Sequence, residues 1–342
     1  MKKYATFGEI MLRLKSPNQE RFLQNPLLGA TFGGGEANVA VGLASFNLDV
    51  SFISVIPNNP IGDACIRELR KYHVDTSLIT RKGNRLGIYF LETGANQRPS
   101  KVIYDRSHSA IAETKPGDID WDEILQEVNW FHLSGITPAI SLSASELSLE
   151  AVKKAREKGV TVSFDLNFRK KLWQYGKSAS EIVSELIKYV DIVIGNEEDC
   201  QKSLGIKVDI DVESGILQVK KYHELTEKII SLYPNIKKIA ITLRDSHSAN
   251  YNGWSAVLHN RNEFLVSKKY EIHNIVDRVG AGDTFAAGLI YGFNNLNHDK
   301  ETLEFAVAAS CLMHSIHGDL PLLSVEEVKS LAGGSGTGRI KR

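Results

Sequence analysis

The sequence predicts an α/β protein: a mostly parallel sheet with helices on both faces, and a small antiparallel sheet projecting from it as a lid. Short β-rich runs alternate with amphipathic helical stretches along most of the chain. The runs are almost continuously apolar, as strands buried on both faces must be. Two segments, residues 10–32 and 84–109, hold strand-like runs with no helix between them, which suits antiparallel pairing outside the main sheet.

The elements follow in order. "YATFGEIML" reads as a first strand, "EANVAVGLASF" as a helix, "VSFISVI" as a strand and "IGDACIRELRKY" as a helix with apolar residues at helical spacing. The runs "MLRLKS", "RLGIYFLETG" and "KVIYDR" supply the lid, which carries Tyr89, Tyr104 and Arg106. Strands are then expected at "NWFHLSG", "VTVSFDLNF", "VDIVIGN" and "KKIAITL", with helices such as "LSASELSLEAVKKAREK" and "SASEIVSELIKY" between them. Residues 1–332 are expected to form one domain. The last ten, "GGSGTGRIKR", lack a core pattern and are expected to be disordered.

Composition excludes several classes. Forty-one basic residues balance forty-one acidic ones, with no basic run for a nucleic acid or an anionic membrane. Any anion recognised here must be met by a few local positive groups. Cys65, Cys200 and Cys311 are odd in number, far apart and without a C-x-x-C pair, which argues against disulfides or structural zinc and fits a cytoplasmic setting. Gly8 and Glu9 interrupt the apolar run a signal peptide would need, and no stretch is long enough to span a membrane.

Ligands of open parallel sheets bind beyond the carboxyl ends of the strands, so polar clusters there carry the functional reading. In "DRVGAGDTFAAGLIYGF", Phe285, Leu289 and Phe293 recur at four-residue spacing, so a buried helix starts near Ala281. Gly280, Ala281 and Gly282 leave its first N–H groups open as an anion hole, and Asp283 stands in the first turn as a candidate base for an attacking hydroxyl. The competing reading is a glycine-rich turn whose Asp complements the helix dipole. In "DIVIGNEEDC", Asn196 is a natural N-cap with acids after it; Glu197 to Asp199 are equally suited to organising water around Mg²⁺. In "TFGGGEANVAVG", Gly33, Gly34 and Gly35 permit close backbone approach. Asn38 sits in an otherwise apolar helix and needs a partner, either a substrate hydroxyl or a neighbouring loop. In "VSFDLNFRKKLW", Asp165, Asn167 and Arg169 alternate and so share a face at a strand end. Arg169, with Arg106 from the lid, is a candidate clamp for a carboxylate or phosphate. His314 and His317, one turn apart with no third ligand, read as structural. P-loop, protein-kinase and dinucleotide-binding glycine signatures are absent.

Taken together, these motifs resemble the ribokinase-like (PfkB) carbohydrate kinases over nearly the whole length. "DRVGAGDTF" is similar to that family's C-terminal signature, "FGGGEANVAVGLA" to its N-terminal substrate motif and "NEED" to its N-x-x-E magnesium motif, with Asp199 in place of the usual Glu. "VIYDRSHSAIA" and "FDLNFRKKLW" resemble the subgroup acting on 2-keto-3-deoxygluconate. The resemblance implies a ribokinase-like three-layer α/β/α fold with a β lid. It also implies transfer of the ATP γ-phosphoryl group to the sugar acid's 6-hydroxyl with Mg²⁺, and a monovalent cation such as K⁺ near Asp277. Implied substrate contacts are Gly34, Gly35, Asn38, Tyr89, Tyr104, Arg106, Asn167, Arg169 and Asp283. Nucleotide contacts are Asn196, Thr242, Arg244, Gly280 and Gly282, and metal organisers Glu198 and Asp199. One departure stands out: many members carry T-x-G-x-x-G near the nucleotide, and here "TLRDSHS" places Arg244 and His247 at the glycine positions. The alternatives are a neutral-sugar kinase of the same fold (fructokinase or ribokinase type) and a kinase-like regulatory protein without activity. A homo-oligomer sharing lid surfaces is expected, because an antiparallel lid leaves edges that need cover.

Overall fold

The computed structural model describes residues 2–206 and 219–336. In chain order the elements are β1 (Lys3–Phe7), β2 (Met11–Lys15), β3 (Gly29–Gly33), α1 (Gly35–Ser45), β4 (Asp49–Ile56), α2 (Pro60–Lys71), β5 (Ile79–Arg81), β6 (Ile88–Glu92) and β7 (Lys101–Asp105). They continue with α3 (Trp121–Ile124), β8 (Trp130–Ser134), α4 (Thr137–Ile140), α5 (Leu142–Glu157), β9 (Thr161–Asp165), α6 (Ala179–Leu186), β10 (Ile192–Gly195), α7 (Glu197–Leu204) and α8 (Val219–Leu232). The C-terminal part holds β11 (Lys238–Ser248), β12 (Tyr251–His259), β13 (Phe264–Val266), β14 (Tyr270–His273), α9 (Ala281–Asn295), α10 (Asp299–Met313) and α11 (Val325–Ala332).

The large sheet runs β13-β12-β11-β10-β9-β8-β1-β4-β5, with β14 also on β12. Pairing is parallel from β5 across to β11 and antiparallel beyond it. From β1 the chain first builds outward through β4 and β5, then returns to the other side of β1 with β8. The carboxyl ends near that reversal form a crevice. Alternate residues of each strand feed two cores. Tyr4, Phe52, Ile192 and Ala240 pack with α1, α9 and α10 on one face. Ala5, Phe131, Val193 and Ile239 pack with α5, α6 and α8 on the other. The three-layer expectation is met.

The lid is a four-stranded sheet, β3-β2-β6-β7. Its outer pairs are antiparallel hairpins, and β2 with β6 at its centre is parallel. The expected first strand divides in two. β1 ends at Phe7 in the large sheet, and β2 starts at Met11 in the lid. Both halves are apolar, so the run looked continuous. The "TLRDSHS" stretch is strand rather than loop, because β11 stays paired with β12 as far as Ser248, with Arg244 opposite Trp254. Strands β12 to β14 were not foreseen.

Local signals explain the helix starts. Asn59 caps α2 ahead of Pro60, and Ser178 and Asn196 make capping boxes with Glu181 and Asp199. Of the tail expected to be disordered, Gly333 and Gly334 close α11 through their N–H groups, and residues 337–342 lie outside the described residues. Among the described residues no helix is long and apolar enough to cross a membrane.

Candidate active site

A cavity of about 350 Å³ opens at the carboxyl ends of β9 and β10, beside the middle of β11 and under the lid. That is the size of a small-ligand site. It collects Gly34, Gly35 and Asn38; Tyr89 and Tyr104; Asn167 and Arg169; Asn196 and Asp199; Thr242 and Arg244; Gly280, Gly282 and Asp283. Most of the expected site residues therefore converge. Three do not. Ala281 is buried behind the turn, Glu198 is exposed outside the lining, and Arg106 lies off this cavity.

The floor is the start of α9. Gly280 sits in the left-handed region at φ 84° and caps the helix without a side-chain bond. A Cβ there would overlap the Asp319 carbonyl at 2.2 Å, so only glycine fits. Gly282 differs: a Cβ on it would meet nothing within 4 Å, because it faces the cavity. The bare first turn is open to an anion approaching the positive helix end.

Asp283 follows, half-buried, with its Oδ2 accepting from Asn38 Nδ2 at 2.6 Å. Asn38 Oδ1 in turn accepts from Gly34 N–H at 3.3 Å. The buried amide of α1 thus has its partners, a neighbouring loop and the α9 carboxylate. Burial, with Asp319 and Glu36 nearby, pushes Asp283 up to about 7, against the pull of Asn38 and Arg169. A carboxylate near neutrality is suited to accept a proton.

The "FDLNFR" segment reaches the site differently from expectation. β9 stops at Asp165, so strand alternation does not align Asn167 and Arg169. Instead Asn167 adopts φ 34°, and its N–H donates to Asp165 Oδ1 at 3.2 Å. The left-handed residue turns the chain, and Arg169 comes to line the cavity, its guanidinium donating to the Phe168 carbonyl at 3.0 Å. Asp165 is buried and held well above the usual carboxylate range, by burial first and then by Asp199 and Asp283. Asp199 closes the α7 capping box and also accepts from Phe168 N–H at 2.9 Å, tying the start of α7 to the Arg169 segment. On the far wall the Arg244 guanidinium lies 5.1 Å from the Trp254 ring.

Arg106 forms a buried ion pair with Glu9, its Nε donating at 2.7 Å, and lies 5.5 Å from the Tyr104 ring. The expectation of a clamp overlooked that acid, 97 positions earlier. His314 Nδ1 donates to the Ser310 carbonyl at 2.8 Å and the ring packs on Trp254, a structural role as expected.

Sequence reasoning missed the ionic cluster beneath the lid. Arg13 of β2, 1% exposed, bonds Asp277 Oδ2 at 2.6 Å and also Asp319; Lys15 reaches Asp277 at 3.2 Å, and the Tyr89 hydroxyl bonds Asp319. Burial works to raise Asp277, but Arg13 and Lys15 outweigh it and hold it low. The only hint in the sequence was two basic residues spaced by two in an apolar strand.

A carboxylate in the first turn of a bare helix end, facing a sugar-sized cavity lined by both arginines and aspartates, fits a phosphoryl-transfer enzyme of the carbohydrate kinase class. Residues 1–323 match the model of the pfkB family carbohydrate kinases, and the chain belongs to that family. A crystal structure of 2-dehydro-3-deoxygluconokinase from Thermotoga maritima is similar with a TM-score of 0.92 and 48% identity, covering 98% of this chain and all of that one. A 2-dehydro-3-deoxygalactonokinase of Haloferax volcanii is 28% identical over 98% of both chains. An uncharacterised sugar kinase of Pyrococcus horikoshii, crystallised with ATP, is 25% identical with a TM-score of 0.74, covering 95% of this chain and 99% of that one.

Proposed function

We propose that this kinase phosphorylates the terminal 6-hydroxyl of 2-keto-3-deoxygluconate with ATP, giving 2-keto-3-deoxy-6-phosphogluconate. The observation that carries the reading is Asp283, held by Asn38 in the first turn of α9, beside Gly282 and in one cavity with Arg169. The 48% identity to the Thermotoga kinase over almost the full length supports the choice of sugar acid.

In this reading Asn38 fixes the Asp283 carboxylate, and Asp283 takes the proton of the attacking hydroxyl. The N–H groups from Gly280 to Gly282 stabilise charge on the transferring phosphoryl oxygens. Arg169 pairs with the sugar's carboxylate, a group neutral sugars lack. Gly34, Gly35, Asn167 and the two lid tyrosines, Tyr89 and Tyr104, shape the sugar side and exclude water. Asn196, Thr242 and Arg244 lie on the nucleotide side. The donor set fits Mg²⁺: Asp165 and Asp199 crowd one another at the carboxyl end of the sheet, each raised by burial, and a divalent ion would relieve both. When bound, Mg²⁺ neutralises phosphate charge. Glu198, exposed, would act only through water. The surroundings of Asp277 do not fit a monovalent cation, since Arg13 and Lys15 already occupy its carboxylate. Self-association through the lid belongs to the same reading: β3 and β7 are edge strands, and Leu23, Leu27 and Ile103 stand exposed. Light scattering on the purified protein tests it, and a monomer at assay concentration overturns it.

The deciding experiment is ATP-dependent ADP release with 2-keto-3-deoxygluconate, 2-keto-3-deoxygalactonate, gluconate, fructose and ribose offered separately. Preference for the gluconate-derived keto acid supports the reading. Preference for its galactonate epimer, which the Haloferax relative's name favours, keeps the Arg169 role and changes the sugar. Preference for fructose or ribose refutes the acid clamp.

A further inference from the structure

At the amino end of β11, away from the cavity, three potential metal ligands converge. His223 and Glu227 are one turn apart on the same face of α8, and His259 ends β12. Glu227 Oε1 lies 3.5 Å from His223 Nε2 and 3.4 Å from His259 Nε2, and the three ligand atoms all fall within 4.8 Å of one another. Ligands on a tetrahedral zinc ion stand about 3.3 Å apart, given bonds of roughly 2.0–2.1 Å.

The neighbouring hydroxyl fixes which nitrogen of His259 is free. Thr226 Oγ1 donates to the His223 carbonyl at 2.9 Å and lies 3.0 Å from His259 Nδ1. A carbonyl can only accept, so the hydroxyl's one proton is committed there, and Nδ1 must donate to the hydroxyl. In the neutral ring Nε2 then carries a lone pair, 3.4 Å from the Glu227 carboxylate. Two acceptors then face each other with no proton between them, an arrangement a cation relieves. A ligating imidazole usually donates its other N–H to an acceptor that orients the ring, and the Thr226 hydroxyl takes that place here. His259 is buried, whereas His223 and Glu227 are half exposed, so an ion can enter from solvent. Phe264 packs on both imidazoles with ring centroids at 4.7 and 5.9 Å and shields them. The nearby Arg261 is bonded to the carbonyls of Tyr233, Pro234 and Ile236.

We propose that His223, Glu227 and His259 bind one zinc ion, with water as the fourth ligand, as a clip joining α8 to the edge of the large sheet. Two imidazoles select a borderline transition ion over Mg²⁺, so the site is separate from the metal of phosphoryl transfer. Ile239 lies opposite His259, and the cavity begins three residues further along β11, about 10 Å away at strand rise.

The test uses untagged full-length protein, stripped by chelator and titrated with zinc chloride in a calorimeter, with millimolar Mg²⁺ present. The expected result is one equivalent bound with a Kd of about 10 µM or tighter. His223→Ala and Glu227→Gln, both on the exposed side, should each weaken binding at least about tenfold, and metal-free Glu227→Gln should keep the parent's melting temperature. Zinc should raise the melting temperature of the parent and not of these variants. Cobalt should give the intense visible absorption of a tetrahedral site in the parent alone. No zinc binding, or weakening below tenfold in both variants, overturns the proposal. So does binding that is lost in Asp199→Asn but kept in His223→Ala.

Discussion

Replacing Asp283 by Asn should separate catalysis from stability with opposite signs. The amide keeps an oxygen to accept from Asn38, so the 2.6 Å bond is retained in kind, but it cannot take a proton. Turnover should fall about 10²–10⁴-fold, the range for a lost general base, while ATP binding persists. Stability should move the other way, and only at high pH. The folded-state value is raised from 3.8 to about 7, so the folded protein binds the proton more tightly than the unfolded chain does. The stabilising contribution of that proton is complete below about pH 4 and is lost as pH rises through about 7. A shift of about three units corresponds to roughly 4 kcal/mol, and solvent at the cavity mouth reduces this to about 2–4. Denaturant unfolding at pH 4.5 and pH 8.5 reads it: the variant should gain little at the lower pH and about 2–4 kcal/mol at the higher. In the parent, kcat/KM should rise with pH through about 7 as the carboxylate forms, and that limb should vanish in the variant. Equal stability changes at both pH values, or near-normal turnover, would refute the assignment of Asp283 as a base kept near neutrality by burial.

Other expectations follow from the same geometry. Arg169→Ala should raise KM for the sugar acid about 10- to 150-fold, the equivalent of a charge-assisted bond, with little change for ATP; equal effects on both would remove the clamp. Gly282→Ala should leave the melting temperature unchanged or raised, since its Cβ meets no protein atom, yet cut turnover at least about tenfold by crowding the phosphoryl group. Arg13→Met removes the arginine shared by two buried carboxylates, leaving Asp319 with no cation among the described residues, and should cost about 3–5 kcal/mol in urea unfolding. Replacing K⁺ by Na⁺ or choline should leave the rate unchanged, because Arg13 and Lys15 stand on Asp277; a K⁺-dependent rate would show that reasoning wrong.

How far the sequence could be read depended on the range of each interaction. The start of α9 was legible because it is local: apolar spacing places the helix, and adjacent glycines mark the turn. The α7 capping box was legible for the same reason. The Asn38–Asp283 bond spans 245 positions, and nothing in either motif names the other as partner. Arg106 looked like a clamp because a lone Arg on a short strand implies an anion, but its anion is Glu9. The alternation of Asp165, Asn167 and Arg169 suggested a strand, whereas a left-handed Asn167 brings the same residues to the cavity by a turn. The Arg13 cluster gathers three residues from the lid, Arg13, Lys15 and Tyr89, and two from the far end of the chain, so only the folded structure joins them.

That cluster also ties together two ends of the cavity. Arg13 belongs to the lid over the cavity, and its two anionic partners flank the helix pair α9 and α10, whose first turn forms the cavity floor. Gly280, in that turn, itself lies against the Asp319 carbonyl, so the lid strand and the turn share one set of contacts. In the proposed reaction, the sugar under the lid and the nucleotide at the α9 turn would then bear on one shared network of ion pairs. Thermodynamic reciprocity then requires that whatever factor the sugar acid adds to ATP affinity, ATP returns to the sugar acid.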